Sequence, residues 1–195
     1  MKTVFFDVDT QLDFMCPAGA LYVPGAEKIV EQIATLNGFA GAQGIPLVST
    51  MDAHTENDAE FQAWPPHCVA GSIGQHKPEA TLLSQRVVVP NAPCELAVDG
   101  AQQILLEKQT FDCFTNVNLT RLLERLGAER YVVYGVVTEI CVKLAAWGLL
   151  ETGKRVELVT DAVRSLNDAA AAAMTDAFLA AGGVLTTASV ATRKP

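Results

Sequence analysis

Arg130-Tyr-Val-Val-Tyr-Gly-Val-Val-Thr-Glu-Ile-Cys-Val-Lys143 passes from a β-branched and aromatic run, through a glycine turn, into a stretch of helical character. Residues 130–134 read as a strand and 139–152 as a helix. The same alternation recurs along the chain. Strands are predicted at 3–8, 45–49, 86–89, 104–107, 156–159 and 183–187, although the 86–89 run also reads as a simple extended connection. Helices are predicted at 26–42, 118–126 and 166–181. Asn116 is placed to cap the second helix, and Gly127 and Gly153 are placed to stop the second and third. Strand–helix alternation predicts an α/β fold: a mainly parallel sheet, helices on both faces, and a ligand crevice beyond the strand carboxyl ends.

Composition narrows the classes. At 195 residues, half of them apolar, the chain reads as a single domain over 1–195. A formal charge of -8 and a pI near 4.8 exclude nucleic acid or an anionic membrane as the main partner. Five cysteines, odd in number and without C-x-x-C spacing, argue against a disulfide framework and point to reduced thiols in the cytoplasm. No apolar run has signal-peptide or bilayer-spanning length free of charges and breakers. The interval 51–93 breaks the strand–helix rhythm with Pro65, Pro66, Pro78, Pro90 and Pro93, and Gly71 and Gly74 among them. It reads as an ordered functional loop region rather than a second domain. The chain shows no internal repeat. A homo-oligomer is neither required nor excluded.

Three strand ends carry reactive groups. Cys141 lies where a helix begins, a place that lowers a thiol pKa and offers N–H groups to an oxyanion; alternatively it is a small core residue. The opening segment Thr3-Val-Phe-Phe-Asp-Val-Asp-Thr-Gln-Leu-Asp-Phe14 is an apolar strand ending in acids, and Lys108 ends the short run from Ile104. In a parallel sheet, such an acid, lysine and cysteine can meet in one crevice. Taken singly, each charged group also reads as solvated or salt-bridged.

Asp9-Thr-Gln-Leu-Asp-Phe14, Lys108 and Gly135-Val-Val-Thr-Glu-Ile-Cys-Val142 together resemble, in order and spacing, the motifs of the isochorismatase-like cysteine hydrolases. Leu12 stands where many relatives carry Asn, and Glu139 where Asp is common. The resemblance implies Asp9 as proton acceptor, Lys108 as stabilising cation, Cys141 as nucleophile, and the N–H groups of Val137 and Cys141 as oxyanion donors. It also implies a cis peptide at Val136–Val137. Asp7 and Asp13 compete for the base role. Asp7, two residues before Asp9, should share its strand face, whereas Asp13 falls in the turn.

Asp52-Ala-His54 and Trp64-Pro-Pro-His-Cys68 are similar to the metal region of the nicotinamidase branch. Asp and His two apart on an extended segment project to one side and supply oxygen and nitrogen ligands. His67 would be the third ligand and Glu60 the next, with Asp58 as its substitute. The set suits one divalent ion, zinc foremost, with iron or manganese as alternatives. By the same resemblance, Phe14 and Trp64 flank the substrate ring, core packing being the alternative for each. His76 and the remaining cysteines have no assigned role. The implied activity is conversion of nicotinamide to nicotinate and ammonia through a thioester, a step of NAD salvage on a small carboxamide. The competing readings are another amidase or hydrolase of the superfamily, and a metal-binding or redox-responsive protein without turnover.

Overall fold

The computed structural model describes residues 1–193; positions 194 and 195 of the expected 1–195 span lie outside the described residues. Seven strands, β1 (Thr3–Val8), β2 (Leu47–Asp52), β3 (Arg86–Val89), β4 (Gln103–Lys108), β5 (Arg130–Val136), β6 (Arg155–Arg164) and β7 (Val184–Thr186), form one sheet in the order β3-β4-β2-β1-β5-β6-β7. Every neighbouring pair is parallel. The helices are α1 (Leu12–Met15), α2 (Val30–Ala42), α3 (Leu119–Leu126), α4 (Lys143–Glu151), α5 (Asp168–Ala180) and α6 (Ala188–Ala191).

Alternation along β1 explains the two cores. Val4, Phe6 and Val8 pack on the side of Leu122 (α3), Leu149 (α4) and Phe178 (α5). Phe5 points the other way, into the cluster containing Met15 (α1), Ile33 and Leu36 (α2) and Ala188 (α6). Both faces of β1 are therefore dry, which is why its sequence is continuously apolar until the acids begin. Each such side chain contributes about 1.5–3 kcal/mol on burial. No helix among the described residues is long and apolar enough to cross a membrane.

Several element boundaries differ from expectation, each for a local reason. β2 runs on to Asp52 through Ser49 and Thr50, polar residues that are buried because their hydroxyls bond the carboxylates of Asp7 and Asp9. β6 continues past Val159 to Arg164, because its register against β5 shifts between Val133 and Gly135 and pairing resumes at Val163. The 86–89 run is a true edge strand. Helix 26–42 begins as a 3-10 turn over Ala26–Ile29. Asn116 does not cap α3. The residue before that helix is Asn118, while Asn116 accepts the Asn118 N–H and donates to the Glu107 carbonyl, tying the loop to β4. Gly127 and Gly153 do take left-handed backbone at the expected helix ends.

Gly135 permits the close approach of β5 to β1. Its φ is +121°, and a Cβ there would sit 2.1 Å from the Val8 carbonyl oxygen. Gly38, in α2, has nothing within 4 Å of the corresponding position. Gly135→Ala should therefore lower stability by about 3 kcal/mol, whereas Gly38→Ala should raise it by about 0.5–1 kcal/mol. Denaturant midpoints of the two variants against the parent check both signs.

Candidate active site

Four elements deliver polar groups to one point at the carboxyl edge of the sheet. Asp9 follows β1, Asp52 ends β2, Lys108 ends β4, and Cys141 lies in the turn after β5; all four are buried. Lys108 Nζ lies 2.8 Å from Asp9 Oδ2, makes a short contact with Asp52 Oδ1, and donates to the Thr110 carbonyl at 2.9 Å. Burial opposes the charge on Lys108, but Asp52 and Asp9 outweigh it and hold the ammonium well above its usual pKa. Burial pushes the Asp52 carboxyl up to about 7, with Lys108 opposing and Asp9 adding to the rise.

Cys141 differs from expectation. It does not open an α-helix: Thr138–Val142 form a π-helical turn, and α4 starts only at Lys143. Burial raises its thiol well above the ordinary value; Lys108 pulls the other way, while Asp9 and Asp52 add to the rise and a hydrogen bond to Asp9 reinforces it. The expected depression of the thiol pKa is thus reversed, because two carboxylates lie nearby in a dry site. The Val136–Val137 peptide that precedes the turn is cis.

The shared face expected for Asp7 and Asp9 is also not what the chain adopts. Asp9 has a left-handed φ of 50°, which breaks the strand alternation. Its Oδ1 accepts from Thr50 Oγ1 at 2.6 Å, whereas Asp7 accepts from Ser49 and Thr10 and lies 3.4 Å from Lys77. Asp13 accepts N–H bonds from Cys68 and Ala20, so it fastens the turn to the residue after His67.

Asp52, His54 and His67 each bring a potential ligand atom into one group, all within 4.8 Å of one another. His54 Nε2 is buried without a hydrogen-bond partner among the described residues. His67 Nδ1 is engaged by the Pro65 carbonyl at 2.8 Å, which leaves its Nε2 for the shared space. Glu60 Oε1 faces both histidines there, 3.6 Å from His67 Nε2 and 4.0 Å from His54 Nε2. Asp58 instead approaches the far side of His54, 3.1 Å from Nδ1 though poorly aligned for a hydrogen bond, and caps the Ala59–Gln62 turn that carries Glu60. Glu60, and not Asp58, therefore faces the space that the two Nε2 atoms share. Burial lowers the pKa of His67, favouring the neutral imidazole that can ligate. Two imidazole nitrogens with carboxylate oxygens, one orphaned and buried, fit a divalent transition ion.

Asp9, Asp52, Glu60, His67 and Cys141 line one cleft, with Val136 and Val137 beside them. Phe14 and Trp64 line it as expected. Phe14 lies against His67 with ring centroids 5.4 Å apart, and Trp64 meets Phe111 edge-on at 6.4 Å. Phe111, Leu21, Val23, Ile140 and Leu166 also line it, none of them singled out from the sequence. Only Ile140 had a signal available, its position next to Cys141. His76 lies outside this lining, as do Cys16, Cys94 and Cys113.

The chain is 28% identical to the nicotinamidase of Escherichia coli over 185 residues, covering 82% of each chain. It is 27% identical to the maleamate amidohydrolase of Pseudomonas putida, covering 83% of this chain and 72% of that one. The crystal structure of the pyrazinamidase of Pyrococcus horikoshii in complex with zinc superposes with a TM-score of 0.79 at 25% identity, covering 96% of this chain and 99% of that one. The isochorismatase domain matches residues 3–189, nearly the whole chain, and the protein therefore belongs to the isochorismatase family.

Proposed function

We propose that the chain is a metal-dependent cysteine amidohydrolase that converts nicotinamide to nicotinate and ammonia. The observation that carries this reading is a single cleft with aromatic walls, lined by Cys141 and Asp9 together with Asp52, His67 and Glu60. In this reading a flat ring lies against Phe14 and Trp64 with its carboxamide toward sulfur. Among the residues lining the cleft there is no Lys or Arg, and Lys108 is engaged by Asp9 and Asp52. An amide bearing its own carboxylate, such as maleamate, would find no side-chain cation there. A neutral carboxamide fits the site better.

In this mechanism Asp9 takes the thiol proton as sulfur attacks the carboxamide carbon. The charge that develops on oxygen is held by the Val137 and Cys141 N–H groups. Asp9 returns the proton to nitrogen, the C–N bond breaks, and ammonia leaves a thioester on Cys141. Water, deprotonated by Asp9, adds to the thioester carbon; the C–S bond breaks and the thiolate recovers a proton. Lys108, 2.8 Å from Asp9, places a cation beside both transfers, while the raised thiol pKa keeps sulfur protonated until substrate arrives. A bound ion would supply a Lewis-acid position for the ring nitrogen, held by Asp52, His54, His67 and Glu60. Zinc as that ion, with iron or manganese as alternatives, a cytoplasmic location and the reading of 1–195 as one catalytic domain belong to the same proposal.

The parent should release ammonia from nicotinamide and pyrazinamide about a hundredfold faster, in kcat/KM, than from benzamide, which lacks the ring nitrogen. Equal rates on benzamide would sink the ring-nitrogen model, and a preference for maleamate would move the assignment to another branch.

Metal content gives a separate check. Purified protein should hold about one divalent transition ion per chain, and His54→Ala with His67→Ala should lose it, by elemental analysis. An ion retained in full by the double variant would lie elsewhere.

The thiol makes a signed prediction. Cys141→Ala should abolish turnover. Asp9→Asn should cut the rate by orders of magnitude yet speed iodoacetamide alkylation of Cys141 near neutral pH, because the Asp9 charge raises the thiol pKa. Slower alkylation in Asp9→Asn would contradict the Asp9–Cys141 coupling. Asp7→Asn should instead cost about 3 kcal/mol of stability by breaking its buried pair with Lys77, leaving the chemistry in place.

A further inference from the structure

Leu166 is an anomaly of packing. It lines the cleft, yet it is 40% exposed and belongs to neither hydrophobic core. It lies in the loop between the end of β6 and the start of α5, outside the packing of both cores. What fixes it is polar. The Leu166 and Asn167 N–H groups both donate to Glu139 Oε1, at 3.0 and 2.8 Å, and Thr138 Oγ1 donates to the Arg164 carbonyl at 2.8 Å. Asn167 in turn caps α5 by accepting the Ala170 N–H. The other Glu139 oxygen is buried with no hydrogen-bond partner among the described residues, so the bonds this carboxylate makes there are those to the loop. Two N–H bonds to one carboxylate oxygen are charge-assisted, among the stronger hydrogen bonds available to a loop.

Glu139 is two residues before Cys141, inside the same π-helical turn. We infer that Leu166 is the apolar lip that covers the substrate ring, and that Glu139 is the positioning residue that registers this lip against the nucleophile. The inference rests on the cleft being the amidase site. The physical logic is that a wall anchored to the nucleophile turn, rather than to the core, keeps its distance to sulfur when the rest of the mouth moves. The exposed Leu166 surface is then apolar area that a bound ring removes from water. Glu139 touches no reacting atom in this scheme and acts through Leu166.

A double-mutant cycle tests it, with nicotinamide kinetics on the parent, Leu166→Ala, Glu139→Ala, Glu139→Gln and the double alanine variant. Leu166→Ala should raise KM roughly five- to tenfold with kcat within about twofold, the size expected for losing a few methylene groups of contact. Glu139→Ala should do the same, and the double variant should be no worse than the larger single change. Glu139→Gln keeps an oxygen acceptor and should return KM to within about threefold of the parent. The pH profile of kcat should not move in any of them. Multiplying KM effects would show that Glu139 does not act through Leu166, and a parent-like KM in Leu166→Ala would remove the lip; the latter result stands even where Glu139→Ala does not fold. An inactive parent would overturn the amidase reading instead. The lip is then decided by the nicotinamide concentration that half-protects Cys141 from iodoacetamide, which both alanine variants must raise, and no protection in the parent would overturn it.

Discussion

One buried ammonium organises this molecule. Lys108 ends β4 under complete cover, and the carboxylates it meets arrive from the ends of two other strands, Asp9 after β1 and Asp52 on β2. A lone charge in such a place would be prohibitive, and so would either acid without the lysine. The order β4-β2-β1 in the sheet places the three strand ends side by side, so parallel pairing brings the charges together. Two carboxylates meet one ammonium there. Burial, with Asp9 and Asp52 adding to it, holds the neighbouring thiol well above its usual pKa, and Asp52 stands with His54 and His67 in a group that suits a cation. Asp9, Cys141 and the Asp52–His54–His67 group are thus electrostatically one unit, although four different segments supply them.

What could be read from the chain follows from this arrangement. A strand buried on both faces is apolar until it leaves the sheet, so Asp9 and Lys108 announce themselves as the charges that end such runs. Cys141 was legible by its place after a glycine turn. His54 and Asp52 were legible by their spacing. The sign of the Cys141 pKa was not, because it depends on burial, and then on carboxylates 132 and 89 positions away in the chain (141 − 9 and 141 − 52), rather than on the turn beside it. The mouth of the cleft was hidden for a different reason. Phe111, Leu21, Val23 and Leu166 sit on loops, where no period of two or 3.6 separates a wall residue from any other apolar side chain. The choice between Glu60 and Asp58 likewise needed geometry, since only the fold shows which face of His54 each acid meets.

The loop region 51–93 illustrates how an irregular segment becomes a rigid one. Gln11 donates to the Asp52 and Gln75 carbonyls and accepts the Asp52 N–H, while Leu12 and Asp13 donate to His76 and Gly74 carbonyls. The turn after β1 therefore grips both ends of the His54–Gln75 excursion. Asp13 adds the Cys68 N–H, next to His67. Backbone groups that a long loop would otherwise leave unsatisfied are taken up by the same short motif that presents Asp9.

That motif also divides labour between two acids that sequence spacing would place together. Asp7 remains in the strand and joins a buried network with Ser49, Thr10, Asn37 and Lys77; Tyr134 enters it by donating to Asn37. Asp9 departs from the strand by a left-handed residue and turns its carboxylate to Thr50 and Lys108 instead. Strand alternation alone would have set both carboxylates on one side, competing for one cation. The single backbone reversal gives each acid its own lysine: Lys77, which anchors the far part of the loop region, and Lys108, which holds the reactive cluster. The same Asp-Val-Asp sequence thereby sends its first acid into the buried network under the sheet edge and its second into the cleft, and the difference between them lies in one φ angle rather than in residue type.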